Sequence, residues 1–162
     1  MFSSLPEMKR KDREISKADC EAVLRDAEYL VMATVDKENI PYAVPLSFVY
    51  FEGKIYFHSG MRKGHKACNL ACNSLCSLAV VGKTLPVYTR NFTTYYESVI
   101  IFGRVKEVLD PQRKKSVLFA LAEKYLPEYM ENAEKDISAS LDRTAVFEVS
   151  LDKITGKAKK PK

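Results

Sequence analysis

Residues 42–66 constrain the fold more than any other stretch of the sequence. Two runs rich in Val, Ile, Tyr and Phe flank the dipeptide Glu52-Gly53. Because glycine readily takes the positive φ that a tight turn requires, this arrangement predicts a β-hairpin. The second run leads into a polar segment that carries both histidines of the chain, glycines and several basic residues. The sequence therefore predicts a hairpin that ends in a basic loop.

The basic loop, residues 58–66, has the composition of an anion site. It combines cationic side chains and a hydroxyl group with glycines, whose flexible backbone offers N–H groups to an anion. A helix is predicted from His65 to about Asn73, so a phosphate near Gly64 to Lys66 would lie at a helix N-terminus. Free N–H groups and the helix dipole favour negative charge there. We therefore expect a phosphorylated small molecule as the ligand.

The rest of the chain is predicted to be mainly strands, with a few helices. Pro45 lies inside a β-favouring run and indicates a bulge or an open sheet edge, because proline cannot donate to a sheet ladder. Gly103 is predicted to mark a bend where a barrel closes. The predicted elements are a helix over 17–27 capped by Ser16, strands over 29–35 and 75–81, a loop over 82–91 that acts as a lid or a dimer contact, a strand over 95–108, helices after Asp110 and after Pro127, and a last strand over 144–151.

These elements favour one fold class. Hairpins without a βαβ rhythm, and without a Gly-x-Gly-x-x-Gly motif, argue against a Rossmann fold. They favour a mainly β fold with flanking helices, arranged as a small antiparallel barrel. We expect one domain over residues 15–156, an N-terminal arm over 1–14, and a basic C-terminal tail over 157–162 that either frays or crosses to a partner chain.

Charge and hydropathy exclude several classes of function. The net charge is +5, but the basic residues cluster at the two ends of the chain, where such clusters are usually solvated. Nucleic acid is therefore not an expected partner. No apolar run approaches the length of a membrane span, and the N-terminus lacks a signal-peptide core. We expect a cytoplasmic location and no membrane partner.

Metal binding and hydrolysis are also not expected. Cys68, Cys72 and Cys76 recur every fourth residue after His65. Metal sites more often use Cys-x-x-Cys turns, so the series is interpreted as small-residue packing. No Gly-x-Ser-x-Gly motif is present, which disfavours a serine hydrolase.

Four segments occur in an order that resembles a known family. They are Val-Pro-Leu-Ser-Phe-Val-Tyr from residue 44, Ile-Tyr-Phe-His-Ser from residue 55, Gly-x-Lys at 64–66, and Tyr-Glu-Ser-Val-Ile-Ile-Phe-Gly-Arg-Val from residue 96. Together they resemble the nitroimidazole-resistance (Nim-like) branch of the pyridoxamine 5′-phosphate oxidase-like flavoproteins, over about residues 8–157. The resemblance implies an FMN-binding split barrel that acts as a homodimer, with FMN at the interface.

The resemblance also implies which residues contact FMN. His58 would lie beside the flavin as a catalytic residue, although a structural histidine is an equally open interpretation. His65 stands where family members often have Arg, so the phosphate charge would be neutralised less completely unless Arg62 or Lys63 compensates. The full set implied by the resemblance is Val44, Pro45, Leu46, Ser47 and Phe48 at the ring, Ser59, Lys63, His65 and Lys66 at the phosphate, His58, Tyr96 and Ser98 nearby, and Lys157 from the partner chain.

The function implied is two-electron transfer. A reduced nicotinamide or another donor would reduce FMN, and FMN would then reduce a small acceptor, with a nitroimidazole-like ring as the family's example. Three alternatives stay open: a haem or deazaflavin ligand in the same barrel, a non-catalytic flavin-binding or sensor protein, and a barrel that binds single-stranded nucleic acid. The last is disfavoured by the terminal position of the charge.

Overall fold

A computed structural model describes residues 5–60, 64–88 and 90–161. The predicted ligand residue Lys63 lies outside these residues. The strands are β1 (Leu30–Val35), β2 (Pro41–Leu46), β3 (Val49–Phe51), β4 (Lys54–Gly60), β5 (Leu75–Tyr88), β6 (Phe92–Glu107), β7 (Thr144–Val149) and β8 (Lys153–Lys159), and the helices are α1 (Lys17–Asp26), α2 (His65–Cys72), α3 (Pro111–Tyr125) and α4 (Met130–Ser140).

The strands form one antiparallel sheet that does not close on itself. Their order is β2-β1-β5-β6-β7-β4-β3, and β8 pairs with β6 beside this path. The strands β2 and β3 end the order without pairing with each other, so the barrel is split at that point. This arrangement confirms the predicted fold class, a mainly β split barrel with flanking helices.

The predicted hairpin joins β3 to β4. Glu52 and Gly53 have φ values of 47° and 76°, the left-handed pair that a two-residue hairpin turn needs. The run before the turn is not one strand, however. It breaks after Leu46, because β2 pairs with β1 whereas β3 pairs with β4. Pro45 therefore lies on an edge strand. Of the two predictions for this proline, a bulge or an open sheet edge, the open edge is confirmed.

The loop predicted over residues 82–91 is wrong. The strands β5 and β6 continue through most of this segment as a long hairpin, and a register shift between Val81 and Thr84 marks an irregularity in their pairing. Pro86 is tolerated there because β1 pairs with β5 only as far as Val80, so the other edge of β5 is open at Pro86. The glycine and proline that made residues 82–91 resemble a loop are instead accommodated by an irregular pairing and by the open edge of β5.

The C-terminal prediction is also corrected. The strand β8 pairs with β6 and includes residues 157–159, which were predicted to belong to a tail that frays or crosses to a partner. The arm is tied to the same strand. Glu14 forms a β-bridge with Lys157, and Lys153 Nζ donates to the Leu5 carbonyl at 3.3 Å. Residues 5–14 therefore run beside β8.

The predicted helix caps are confirmed. Ser16 Oγ accepts from the Asp19 N–H at 3.1 Å at the start of α1, and Asp110 Oδ2 accepts from the Arg113 N–H at 2.7 Å at the start of α3. Gly103 is also a contact point: a Cβ there would lie 1.9 Å from the Ser150 carbonyl oxygen. At this point β6 changes partner from β8 to β7.

Two apolar clusters fill the fold. One lies inside the split barrel and includes Leu30, Met32, Phe57, Leu78 and Ile101. The other lies between α3 and the strands β3, β4 and β7, and includes Val49, Tyr56, Val117, Leu121 and Val146. No helix in the described part of the chain is long and apolar enough to cross a membrane.

Candidate cofactor site

The N-terminus of α2 is open to a ligand. Gly64 is its N-cap residue and provides no side-chain cap, so the first-turn N–H groups have no side-chain partner from that residue. His65 is exposed and its ring stacks on Tyr42 of β2, with centroids 4.2 Å apart. This stack joins the start of α2 to the edge strand β2, as a ligand spanning the two would require.

Lys66 follows at the second position of α2. Its Nζ lies 4.7 Å from the centroid of the Phe57 ring, and the residue is half-buried. Desolvation lowers the pKa of Lys66, because the apolar surroundings disfavour the ammonium. A bound anion would stabilise that charge.

His58 lies near the end of β4, close enough to Lys66 for their charges to interact. The residue is exposed in part, yet the protein around its ring removes enough water to lower the pKa, and the Lys66 charge lowers it further. Its imidazole is therefore held in the neutral form at neutral pH, in which it accepts a proton at one nitrogen and donates an N–H at the other.

The strand β2 offers main-chain groups along an open edge. It pairs with β1 on one side only in the strand order. The side chains of Val44 and Leu46 are half-buried and pack against the core, whereas Pro45 and Ser47 are exposed. A flat ligand lying along this edge would meet backbone groups and the Ser47 hydroxyl.

Phe48 does not share this exposure. Its side chain is fully buried, its N–H donates to the Tyr125 hydroxyl at 2.9 Å, and its carbonyl accepts from the same hydroxyl at 3.1 Å. Phe48 therefore offers neither a side chain nor free main-chain groups to a ligand, which argues against the contact that the resemblance implied. Tyr125 lies 77 residues away, so the local sequence contains no sign of this contact.

The remaining predicted residues lie elsewhere, on β6 and β8. Ser98 and Lys157 are opposite each other in the sheet register, and both line a cavity of about 260 Å³ with Leu5 and Met8. The Tyr96 hydroxyl accepts from Arg13 at 3.2 Å, and this hydrogen bond is the main cause that lowers the pKa of Tyr96. The role of Arg13, 83 residues from Tyr96, was not predicted.

The predicted residues thus form two groups in the chain. In the described part of the chain, no hydrogen bond, ion pair or ring contact joins Tyr96, Ser98 or Lys157 to the residues at the start of α2.

The second group belongs to the outer face of the sheet, the side turned away from the barrel core. Alternation along the strands and the observed registers put at least twelve side chains on this face, and these twelve are all exposed or half-buried. They are Val31, Ala33, Ala43, Pro45, Ser77, Ala79, Ser98, Ile100, Phe102, Lys153, Thr155 and Lys157. Most are apolar or small, so the outer face is a surface suited to contact with another protein chain.

The four cysteines differ in exposure. Cys68 and Cys72 are exposed, whereas Cys20 and Cys76 are buried, and burial raises the pKa of the Cys76 thiol to about 12. The packing interpretation is therefore right for Cys76 and wrong for Cys68 and Cys72. Within residues 5–60, 64–88 and 90–161, no group of three or more His, Cys, Asp and Glu side chains is placed to hold a metal ion.

The fold and the open helix N-terminus define a split-barrel protein with a candidate anion site. The family model described as pyridoxamine 5′-phosphate oxidase matches residues 16–158. The chain therefore belongs to the pyridoxamine 5′-phosphate oxidase family. None of the curated proteins matches the chain.

Solved structures agree with this family. A candidate 5-nitroimidazole antibiotic resistance protein from Bacteroides thetaiotaomicron is 25% identical, with a TM-score of 0.75 over 90% of this chain and 86% of that one. A flavocytochrome from Azotobacter vinelandii is 17% identical, with a TM-score of 0.79 over 96% and 73%. A protein from Mycobacterium smegmatis that binds FAD and haem is 16% identical, with a TM-score of 0.76 over 92% and 74%. The last two, at these identities, show the fold alone.

Proposed function

We propose that this protein is an FMN-dependent oxidoreductase of the Nim-like branch, active as a homodimer. The observation that carries the proposal is the half-buried, partly desolvated Lys66 at the open N-terminus of α2, joined by the His65–Tyr42 stack to the free edge of β2. A phosphate at the helix and a flat ring along the strand edge are the two parts of a flavin mononucleotide.

The phosphate is assigned to the start of α2. Lys66 supplies a positive charge, the first-turn N–H groups supply donors, and the Ser59 hydroxyl lies at the end of β4 before the loop. His65 is exposed at the same helix start and adds a further donor. An anion stabilises an ammonium that lies in apolar surroundings. The phosphate contact with Lys66 should therefore contribute more to the affinity for FMN than a contact with an exposed lysine would.

The ring is assigned to the edge of β2. Alternate residues among Val44, Pro45 and Leu46 direct main-chain groups to that edge, which the strand order leaves open, and Ser47 follows directly after the strand. The main-chain donors and acceptors of a strand have fixed positions, and so do the polar atoms along the edge of an isoalloxazine ring. The strand edge is therefore suited to that edge of the ring.

The homodimer accounts for the second group of residues. Tyr96, Ser98 and Lys157 lie on β6 and β8, beside the apolar outer-face side chains of Ile100 and Phe102. If two outer faces pack together, these three residues approach the cofactor of the opposite protomer, and each site is complete only in the dimer. This arrangement gives Lys157 the role that the resemblance implied.

The bound flavin would supply the redox chemistry, taking up two electrons from a donor and passing them to an acceptor. The chain's own residues bind and orient the partners. His58, held neutral, accepts or donates one proton beside the site. A small aromatic acceptor, such as the nitroimidazole that the Bacteroides protein's description names, is the substrate class we propose.

A second candidate is haem binding. It is favoured by the flavocytochrome and by the protein that binds FAD and haem, which share the fold. The chain offers two imidazoles, His58 and His65, as axial ligands.

The absorption spectrum of the purified protein, followed by mass identification of any released chromophore, distinguishes these candidates. Flavin bands and released FMN are the expected result. A haem band would support the second candidate. A colourless protein that also fails to take up added FMN would contradict the flavoprotein proposal.

A further inference from the structure

A cleft of about 460 Å³ lies between α2 and the ends of β4, β6 and β7. Its walls include Ser59, Ala67, Cys68, Glu107, Ala145 and Phe147. A volume in this range suits a small organic molecule. The cleft is distinct from the edge of β2 and from the outer face, to which the cofactor ring and the dimer contact were assigned.

One wall of the cleft is flat and aromatic. Phe147 stacks on Phe57, with ring centroids 5.1 Å apart and planes 16° from parallel. Small residues on the other sides leave room against this wall: Ala67 lies on α2, Ala145 lies on β7, and a Cβ added at Gly60 would meet nothing within 4 Å. A planar aromatic ring fits such a space and stacks on the Phe147 side.

Two charged residues, Lys106 and Glu107, line the cleft, and only the Lys106 charge is paired in the described part of the chain. Glu107 is opposite Phe147 in the register, so the two side chains share the face that lines the cleft. The neighbouring Lys106 points to the other face, where its Nζ lies 3.2 Å from the buried Glu148 carboxylate. Within the described residues, no cation forms an ion pair with Glu107, and Lys66, which contacts the Phe57 ring, does not line the cleft.

We propose that this cleft binds a small planar aromatic molecule of one or two rings, neutral or cationic, and that it rejects anionic analogues. The inference rests on the proposed function in one respect: Ser59 belongs to both sites, so the ligand would lie beside the cofactor phosphate loop. A small planar aromatic substrate that approaches the flavin from the cleft would be a molecule of this kind.

Cys68 reports occupancy of the cleft without any need for the cofactor. Its thiol is exposed and lines the cleft, whereas Cys72, one helical turn later, is exposed but does not line it. Cys20 and Cys76 are buried, and burial raises the pKa of both thiols, so they react slowly. Alkylation by iodoacetamide, located by peptide fragmentation, therefore measures Cys68 against Cys72 in the same molecule.

The probes are indole and indole-2-carboxylate, which differ by one carboxylate. At about ten times its dissociation constant, indole should slow alkylation of Cys68 about tenfold and leave Cys72 unchanged. Indole-2-carboxylate should not protect Cys68 at the same concentration, because Glu107 repels it. In a Glu107→Gln variant, indole-2-carboxylate should protect Cys68 as well.

An Ala67→Leu variant should lose the protection by indole, whereas Ala139→Leu, on the exposed side of α4, should keep it.

Several results would overturn the inference. They are an absence of protection by indole, equal slowing at Cys72, equal protection by the two probes in the native protein, and full protection of Cys68 by FMN alone, which would assign the cleft to the cofactor. FMN binding is titrated on the same preparation. Binding of FMN without protection by indole refutes the cleft alone, and protection without FMN binding refutes the proposed function alone.

Discussion

The hydroxyl of Tyr125 holds both main-chain groups of Phe48, accepting from its N–H at 2.9 Å and donating to its carbonyl at 3.1 Å. The Glu28 carbonyl, at 2.6 Å, is the nearer acceptor of the same hydroxyl proton, which the two carbonyls share. Helix α3 therefore fixes the corner where the chain leaves the edge strand β2 and enters β3. The shape of the proposed ring site depends on a residue far away in the sequence.

Replacing Tyr125 with Phe should loosen this corner. The change leaves main-chain polar groups without a partner in a buried place, which typically costs about 1–3 kcal/mol of unfolding free energy. Urea unfolding measures the loss, and FMN titration should show weaker binding because the adjacent Ser47 and Leu46 lose their fixed position. Tyr129→Phe is the matched control, since Tyr129 is 58% exposed. Equal stability of the two variants would contradict the role of Tyr125.

Much of this fold could be predicted from local signals. The Glu52-Gly53 turn and the caps at Ser16 and Asp110 depend on residues within one turn of each other, and all three are confirmed. The β5–β6 hairpin was missed because its proline and glycine are tolerated by an open edge and an irregularity in the pairing, which only the tertiary structure reveals.

The candidate site shows the same division. The basic loop and the start of α2 could be predicted because adjacent residues form them. The burial of Phe48, the Arg13–Tyr96 hydrogen bond and the cleft beside α2 join residues distant in sequence, and no local pattern marks them.

The outer face should carry the dimer contact. An Ile100→Glu variant puts a charge among the apolar side chains of β6, and an unpaired charge at such a contact is unfavourable. Sedimentation should show a dimer for the native protein and a monomer for the variant, and FMN binding should weaken because Ser98 and Lys157 no longer reach the partner's site. Ile40→Glu is the control, since Ile40 lies 57% exposed between β1 and β2. A dimer that survives Ile100→Glu would contradict this assignment.

His58 should titrate below the ordinary histidine value of 6.5, because desolvation and then the Lys66 charge lower its pKa. NMR titration measures this pKa, and a His58→Gln variant assigns the signal. Lys66→Met should raise the pKa only in part, since the desolvation remains. The unfolded chain binds the proton more readily than the folded one, so His58 should reduce stability as the pH falls below about 6.5. A pKa at or above the ordinary value would contradict the described environment.

Lys124 should make stability depend on pH in the alkaline range. Its Nζ is buried without a hydrogen-bond partner among the described residues and lies 3.8 Å from the Phe48 ring centroid. Burial lowers the pKa of Lys124 from 10.5 to about 8. Between these values the unfolded chain holds more protons, so native stability should rise with pH in this window.

A Lys124→Met variant should lack that rise. The gain in unfolding free energy of the variant over the native protein should be larger at pH 7 than at pH 10. Urea unfolding of both proteins at both pH values measures this difference. Lys135→Met, at an exposed position on α4, should show no such difference. Parallel stability curves for the native protein and Lys124→Met would contradict the buried, partly desolvated position of Nζ.

The central claim is that Lys66 and the N-terminus of α2 bind the phosphate of a flavin, and one comparison tests it most directly. Equilibrium titration with FMN and with riboflavin, which lacks the phosphate, is carried out on the native protein, on Lys66→Met and on the exposed-lysine control Lys37→Met. Loss of a charge-assisted contact worth about 1.5–3 kcal/mol should weaken FMN binding by about tenfold to a hundredfold in Lys66→Met alone. Riboflavin should bind the native protein more weakly than FMN does and should be insensitive to Lys66→Met. Equal affinity of the native protein for the two flavins, with no effect of Lys66→Met on either, would contradict the account.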